Sequence, residues 1–511
     1  MEQSAPADVP SLRQINVVSM AGDPVATLEL EASESIRAIK QCLQRTRGIP
    51  FFTQQIIVGL STVDDDIALS TFPEPLTGPL CLTLVVVAFD AVQSSVLLEA
   101  AEMGDAQGVE RASRACADPN ATERSGATPL LMASRAGRLD MVQFLCEAGA
   151  AKDTATVDGA TPVYMAARNG HADVVAFLCE AAVDIDKALQ NGATPLFTAS
   201  FNGHADVVQL LCKAGADKEK AQLHDGSRPL HAASSNGHSA VVQSLCAAGA
   251  DKDQVAQDGA TALFMASRNG HLDVMQALCE AGADTERAMK DGSTPLHIAA
   301  FNGNLPAVQC LCNAGADTDT ATLTGATPLF AASHTGWGPV VSFLCEAGAD
   351  KDKARQDGAT PLYAAAFQGH LEVVQILCDA GADIEKATPS GATAVYAAAR
   401  NGFLEVVQYL CEAGAENDRA LQDGATPLIA ACRKGFLEVV QWLCDAGADK
   451  DWQQVDGATP LYAAAFHGHM DVVQFLCEVG ADKEIGTNAG TTPLLGALQN
   501  GYLEVVMLLC Q

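Results

Sequence analysis

A short opening, DGATPL or a near variant, returns along this chain at a fixed interval. Its glycine falls at Gly126, Gly159, Gly192, Gly226, Gly259, Gly292, Gly325, Gly358, Gly391, Gly424, Gly457 and Gly490. Each step is 33 residues except Gly192 to Gly226, which is 34. A constant period of this size constrains the fold strongly, because one such unit cannot bury its own apolar face and must stack on copies of itself.

Within one unit, best seen from Asp357 to Pro389, Thr360 before Pro361 predicts an N-cap followed by a proline at the first helical position. The first helix carries Leu362, Ala365 and Ala366 at helical spacing and is broken by Gly369. A second helix starts at His370, with Leu371, Val374, Leu377 and Cys378 on one stripe and Gly381 as its left-handed terminator. The segment ADIEKATP then reads as a hairpin-like link to the next unit. Helix, turn, helix and hairpin with a TPL opening resemble the ankyrin repeat, over roughly residues 95–511. Threonine opens 11 of the 12 units and proline follows in 10, so Arg228, Ala262 and Ala394 are expected to loosen caps locally without changing the fold.

Twelve of the 17 cysteines occupy one repeat position, from Cys146 and Cys179 through Cys378 to Cys510. Equivalent positions of stacked helices lie about 8–10 Å apart, whereas a disulfide needs Cα atoms within about 7 Å. The expectation is therefore a column of small packed thiols in a reducing compartment. The start MEQSAPADVPSL has no signal-peptide pattern, and the longest apolar run, Cys81 to Phe89, is nine residues. A cytoplasmic or nucleocytoplasmic protein without membrane insertion is expected. The formal charge is −31, of which residues 1–90 carry −6 and the remainder −25. Such a chain repels nucleic acid and anionic lipid, favours basic partners by long-range steering, and stays soluble as a uniform stack.

Residues 1–12 read as a disordered leader. Over 13–90 the pattern changes to an α+β one: a hairpin through Ile15, Val17, Val25, Leu28 and Leu30, a helix capped by Ser33 with Ile36, Ile39, Lys40 and Leu43 on one face, and strands at Gln54–Val58 and Leu80–Phe89. The segments INVVSMAG, IRAIKQCLQRTRGIP, QQIIV, LSTF and LCLTLVV resemble ubiquitin-like domains, with single-residue length changes near Pro24 and Phe51. The resemblance implies a β-grasp fold and a docking patch at the matching positions Met20, Val58 and Thr83, two apolar and one polar. The chain continues through AFDAVQSS rather than ending in a free diglycine, so it is not expected to be conjugated as a modifier. The other reading of this segment is a sheet that simply packs on the first repeat.

Residues 91–125 read as a degenerate capping repeat, and 126–511 as twelve full ones. Asn120-Ala-Thr122 is a formal glycosylation sequon that a non-secreted chain would not use. Two residues before each mid-repeat glycine lies a variable column: Arg135, Arg168, Phe201, Ser235, Arg268, Phe301, His334, Phe367, Arg400, Arg433, Phe466 and Gln499. The ankyrin resemblance implies that inner helices and hairpin tips line a concave groove that grips partners, and this column matches part of that surface. Arginine and aromatic side chains are also the types enriched at interface hot spots.

An acidic column runs through Asp153, Asp186, Glu219, Asp253, Glu286, Asp319, Asp352, Glu385, Asp418, Asp451 and Glu484. A spaced ladder does not supply the 6–8 converging oxygens that calcium takes, so solvated ion pairs with lysines such as Lys152, Lys218 and Lys351 are expected. His171, His204, His238, His271, His370 and His469 each follow the mid-repeat glycine and read as local turn and capping chemistry. Trp337 and Pro339 mark one unit for a kink or a specific contact, and the last unit is expected to expose apolar side chains.

No nucleophile–base pair, phosphate loop, metal cluster or cofactor fingerprint stands out, so no cofactor is expected. The fold expected is mainly α: an ankyrin-repeat solenoid preceded by a small α+β ubiquitin-like domain. The function expected is non-enzymatic protein–protein scaffolding. The alternative is an adaptor in ubiquitin-dependent degradation, its ubiquitin-like domain docking on the proteasome or a ligase.

Overall fold

The structure is a computed structural model that describes residues 12–19, 24–31, 34–47, 49, 54–58, 61–63, 68–72, 80–86 and 90–511. It divides into two compact units, residues 1–233 with 240–250 and residues 234–239 with 251–511.

The first unit begins with a mixed sheet of β1 (Leu12–Ser19), β2 (Pro24–Glu31), β3 (Gln54–Val58), β4 (Ser61–Thr62) and β5 (Leu80–Val86), in the order β2-β1-β5-β3-β4. β1 and β2 form the expected antiparallel hairpin, with a register shift at Val17/Val18 opposite Pro24, the point of a length change noted in the sequence. β5 lies between the two ends of the sheet, parallel to β1 and antiparallel to β3. The helix α1 (Ile36–Arg47) buries Ile36, Ile39, Lys40 and Leu43, the face expected from its spacing. These pack with Ile15, Val17, Leu28, Ile56, Leu82 and Leu84. Gln54 ties strand to helix, its amide donating to the carbonyls of Lys40 (3.0 Å) and Ile49 (2.8 Å). Met20, Ser33, Gly48, Pro50, Phe51 and the leader up to Ser11 lie outside the described residues, as do Val87–Phe89 of the expected last strand.

The helices α2 (Ala91–Met103) and α3 (Ala106–Arg114) follow, α2 capped by the Asp90 carboxylate, which accepts from the N–H groups of Val92 and Gln93. On the other side α1 meets the first full repeat. The Arg37 guanidinium stands 5.4 Å from the Phe144 ring, and the Gln41 amide donates to Glu147 at 3.4 Å. The sheet contributes as well: the Gln55 amide of β3 donates to Cys116 Sγ at 3.7 Å.

Each repeat is a helix pair. In the unit from Asp357, Pro361–Gln368 is capped by Thr360, whose hydroxyl accepts the Tyr363 N–H at 3.1 Å, and Leu371–Asp379 returns behind it. The caps expected to loosen keep their bonds where threonine remains: Thr261 and Thr393 still accept from Phe264 (3.1 Å) and Tyr396 (3.4 Å), with alanine at the first helical position. Where Arg228 replaces threonine, its own N–H donates to His231 Nδ1 at 3.0 Å. In the second helix the fully buried stripe is Val373, Val374 and Leu377, while Cys378 and Leu371 sit half-buried at its margins. That helix is pressed between its own partner and the next repeat, which turns the buried face by one residue. Among the described residues the cysteines are free, and burial pushes Cys378 up to about 11, with Asp379 adding to it.

Neighbouring repeats are joined by polar bonds that single columns could not disclose. Among the described residues Asp451 pairs with a lysine, Lys450 at 3.5 Å, but the bond that recurs along the acidic column is to main chain. Asp319, Asp352, Glu385 and Asp451 accept the backbone N–H of Asp350, Asp383, Glu416 and Asp482, 31 residues on, at 2.8–2.9 Å. Asp153 and Asp186 do the same in the first unit, to Asp184 and Asp217. Hairpin tips are laddered by main-chain bonds such as Gln356 N–H to the Thr324 carbonyl at 3.0 Å.

Candidate partner-binding surface

The histidines explain how the variable column is held. The helices that follow His171, His204, His271, His370 and His469 lack a side-chain cap bond, so the turn-and-capping reading gives way there to a contact between repeats. His171, His204, His271, His370 and His469 place Nε2 3.0–3.2 Å from the carbonyl oxygens of Arg135, Arg168, Ser235, His334 and Arg433. A carbonyl only accepts, so Nε2 carries the proton. Trp337 occupies the same position, its indole N–H donating to the Phe301 carbonyl at 2.9 Å, which is the specific contact that its unit shows. The column's main chain is thus fixed while its side chains remain free to differ.

In the first unit Arg135 pairs with Glu102, Arg168 is exposed, and the Phe201 ring is 51% exposed. In the second unit Arg268 and Arg400 are exposed, and Phe301 and Phe367 are 45% and 37% exposed. His334, Arg433 and Phe466 are half-buried. Phe367 stacks on Tyr363 at 6.2 Å and Phe466 on Tyr462 at 5.6 Å. Burial pushes the His334 imidazole below its usual value, and Arg355 and His370 push it further.

Sequence columns alone missed two further rows of this face. Four residues before the variable column stands an aromatic row, including Tyr164, Phe197, Phe264, Phe330, Tyr363, Tyr396 and Tyr462, which lies under the hairpins; its signal was the aromatic three residues after the capping threonine. The hairpins add Val157, Leu223, Leu323 and Val455, each about 70% exposed. Twenty-one residues beyond a column position, the hairpin side chain lies over it: Arg355 acts on His334, and Gln454 accepts from Arg433 at 3.3 Å.

His297 holds the aromatic row's place in its repeat. Both ring nitrogens are buried with no hydrogen-bond partner among the described residues, and burial pushes its pKa below 6.5, with Asp291 opposing. A folded pKa below the unfolded one means that the unfolded chain takes the proton first. Stability is therefore complete above the unfolded value and is lost as pH falls from there through the folded value. His297→Phe is expected to lessen the drop in urea midpoint between neutral and mildly acidic pH. An identical drop in both proteins would show that His297 is not its source.

Of the N-terminal patch, Met20 lies outside the described residues and Val58 ends β3. Thr83 is half-buried in β5, registered between Val18 of β1 and Ile57 of β3.

A family model described as "Ankyrin repeats (3 copies)" matches residues 97–189, 183–256, 230–322, 314–388, 385–454 and 446–511. The crystal structure of the human ASB11 ankyrin repeat domain is similar at 28% identity, covering 42% of this chain and 98% of that one with a TM-score of 0.40. No curated protein matches the chain.

Proposed function

The chain belongs to the ankyrin-repeat family, and from that premise we propose that it is a non-enzymatic scaffold that binds protein partners along the groove carrying the variable column. One observation carries this reading: the main-chain carbonyls of Arg135, Arg168, Phe301, His334 and Arg433 are tied to the next repeat while their side chains vary. A preformed row of aromatic and guanidinium groups loses little freedom on binding. The net charge of −31 steers partners that are basic as a whole. The proposed organisation keeps a ubiquitin-like domain at 13–90, a capping repeat at 91–125 and twelve repeats from 126, in a cytoplasmic or nucleocytoplasmic protein. No described helix is long and apolar enough to cross a membrane.

The second reading, an adaptor in ubiquitin-dependent degradation, is supported by the N-terminal sheet. Its last strand is inserted beside the first, α1 contacts the first full repeat, and Gln55 of β3 reaches Cys116 of the capping repeat. Affinity capture from native lysate tests both readings with the full chain, residues 91–511, and a Phe301→Ala/Phe367→Ala chain. Truncating buried aromatic anchors costs about 2 kcal/mol or more at a hot spot, roughly 30-fold in affinity. The scaffold reading expects partners kept by 91–511 and lost from the phenylalanine variant. Proteasomal or ligase components lost only on removing residues 1–90 would favour the adaptor. Partners indifferent to the phenylalanines would contradict the groove.

A further inference from the structure

The second unit holds a cluster of hydrogen-bond donors that the repeat architecture does not use. Tyr396 is bedded among Ala392, Ala425, Ala430, Tyr363 and Leu421. Its counterpart Tyr164 has a hydroxyl partner, Thr198 at 3.4 Å, 34 residues on. The residue 34 beyond Tyr396 is Ala430, which offers none, and no described residue bonds the Tyr396 hydroxyl. One turn on, Arg400 is exposed and makes no ion pair or hydrogen bond among the described residues, unlike Arg135, Arg355 and Arg419, which are each paired with a carboxylate. One repeat on, Arg433 donates to Gln454 Oε1 at 3.3 Å and likewise has no carboxylate partner. Gln454 is only 8% exposed, and its Nε2 is buried with no partner. Asp423, the acid that acts on this phenol, accepts the Ala425 N–H through Oδ1 at 3.0 Å. Tyr396 packs against Ala430, which lies one turn before Arg433 on the next repeat's first helix, and Arg400 stands one turn after Tyr396 on its own helix. Burial raises the Tyr396 phenol, Arg433 and Arg400 oppose that, and Asp423 adds to it.

Two guanidiniums, a phenol O–H and a buried amide N–H are all donors, and the one amide acceptor is already occupied. An acceptor-rich anion suits such a set, and a carboxylate matches it with two oxygens and room for bidentate arginine. Around it stand Phe367, Trp452 and Val455, 37%, 36% and 70% exposed. We propose that Tyr396, Arg400, Arg433 and Gln454 form a carboxylate-binding subsite, which takes one aspartate or glutamate side chain of a peptide segment flanked by apolar residues. The protein's own negative charge disfavours a polyacidic segment, so a single acid in an apolar context is the fitting ligand. The inference rests on the groove reading above and adds to it the chemistry of one anchor.

The test pans a random displayed peptide library against the full chain, then measures a synthetic peptide of the selected sequence on wild type, Arg400→Gln/Arg433→Gln and Phe301→Ala/Phe367→Ala. The expected result is a fixed Asp or Glu beside apolar residues, with affinity falling about 10–100-fold in the arginine variant. Replacing the peptide's acid by its amide should cause the same loss, and the two losses should not add. Selected peptides without a fixed acid, an acid removable without loss, or no selection at all would overturn the subsite. A phosphoserine in the acid's place that binds more tightly would overturn the carboxylate in favour of phosphate. Peptides that need the phenylalanines but not the arginines would sink the subsite and leave the groove. Indifference to both would sink the groove as well. Matching melting curves for the three proteins exclude misfolding as the cause.

Discussion

Gly402→Val is expected to unfold its repeat and loosen the next at a denaturant concentration where the rest of the second unit stays folded. Gly402 ends the helix Ala394–Asn401 at φ +81°. A left-handed backbone costs a side-chain-bearing residue roughly 1–2 kcal/mol. A Cβ there would also stand 2.6 Å from Phe436 Cδ1 of the following repeat. That half-buried ring must shift, which adds roughly 1–3 kcal/mol of overpacking. Gly414 is the control: it has φ +103°, and nothing lies within 4 Å of its Cβ position. Gly414→Val should show the backbone cost alone. Because repeats couple mainly to their neighbours, the difference should appear as faster amide exchange across Ala394–Glu412 and Pro427–Asp445 rather than as a uniform loss. Equal exchange profiles for the two variants would show that the ring does not depend on the missing Cβ.

Glu385→Ala is expected to cost about 1.5–3 kcal/mol, and Glu385→Gln much less. Glu385 accepts the Glu416 N–H through Oε1 at 2.8 Å and pairs with Arg419 through Oε2 at 2.7 Å. The ion pair is about one-third exposed on both sides, so solvent screens it and its share is small. The backbone bond is the larger share, and glutamine keeps an acceptor for it. Urea denaturation of the three proteins at low and high salt separates the two contributions. The alanine loss should survive high salt, and an alanine loss abolished by salt would return the acidic column to the ion-pair role read from sequence.

The two variants also mark where sequence reasoning stopped. Period, caps and helix ends were legible because they depend on residues three or four apart: Thr360 with Tyr363, Gly369 with Ala365. The acidic column and the histidines were misread because their partners lie 31 residues on and 36 residues back, in a neighbouring repeat. Nothing local distinguishes a carboxylate awaiting a lysine from one awaiting a backbone N–H. Trp337 looked like an exception for the same reason, although its indole replaces the imidazole bond. In the N-terminal sheet the hairpin and α1 followed from alternation and helical spacing, while the parallel pairing of β1 with β5 spans more than sixty residues of chain and left no mark in either strand. The variable column was legible as a set of residues. Its environment was not, because Gln454 reaches Arg433 from a hairpin 21 residues on.

The claim that partners are gripped by the column and the hairpins is tested most directly by amide exchange on the full chain, alone and with the partner that it captures. The account predicts slowed exchange at the ends of Pro361–Gln368, Ala394–Asn401 and Pro427–Lys434 and at the hairpin residues around Leu421 and Gln454, with the helices Leu371–Asp379 and Leu404–Glu412 unchanged. Protection confined to those second helices, or to β1–β5, would contradict it.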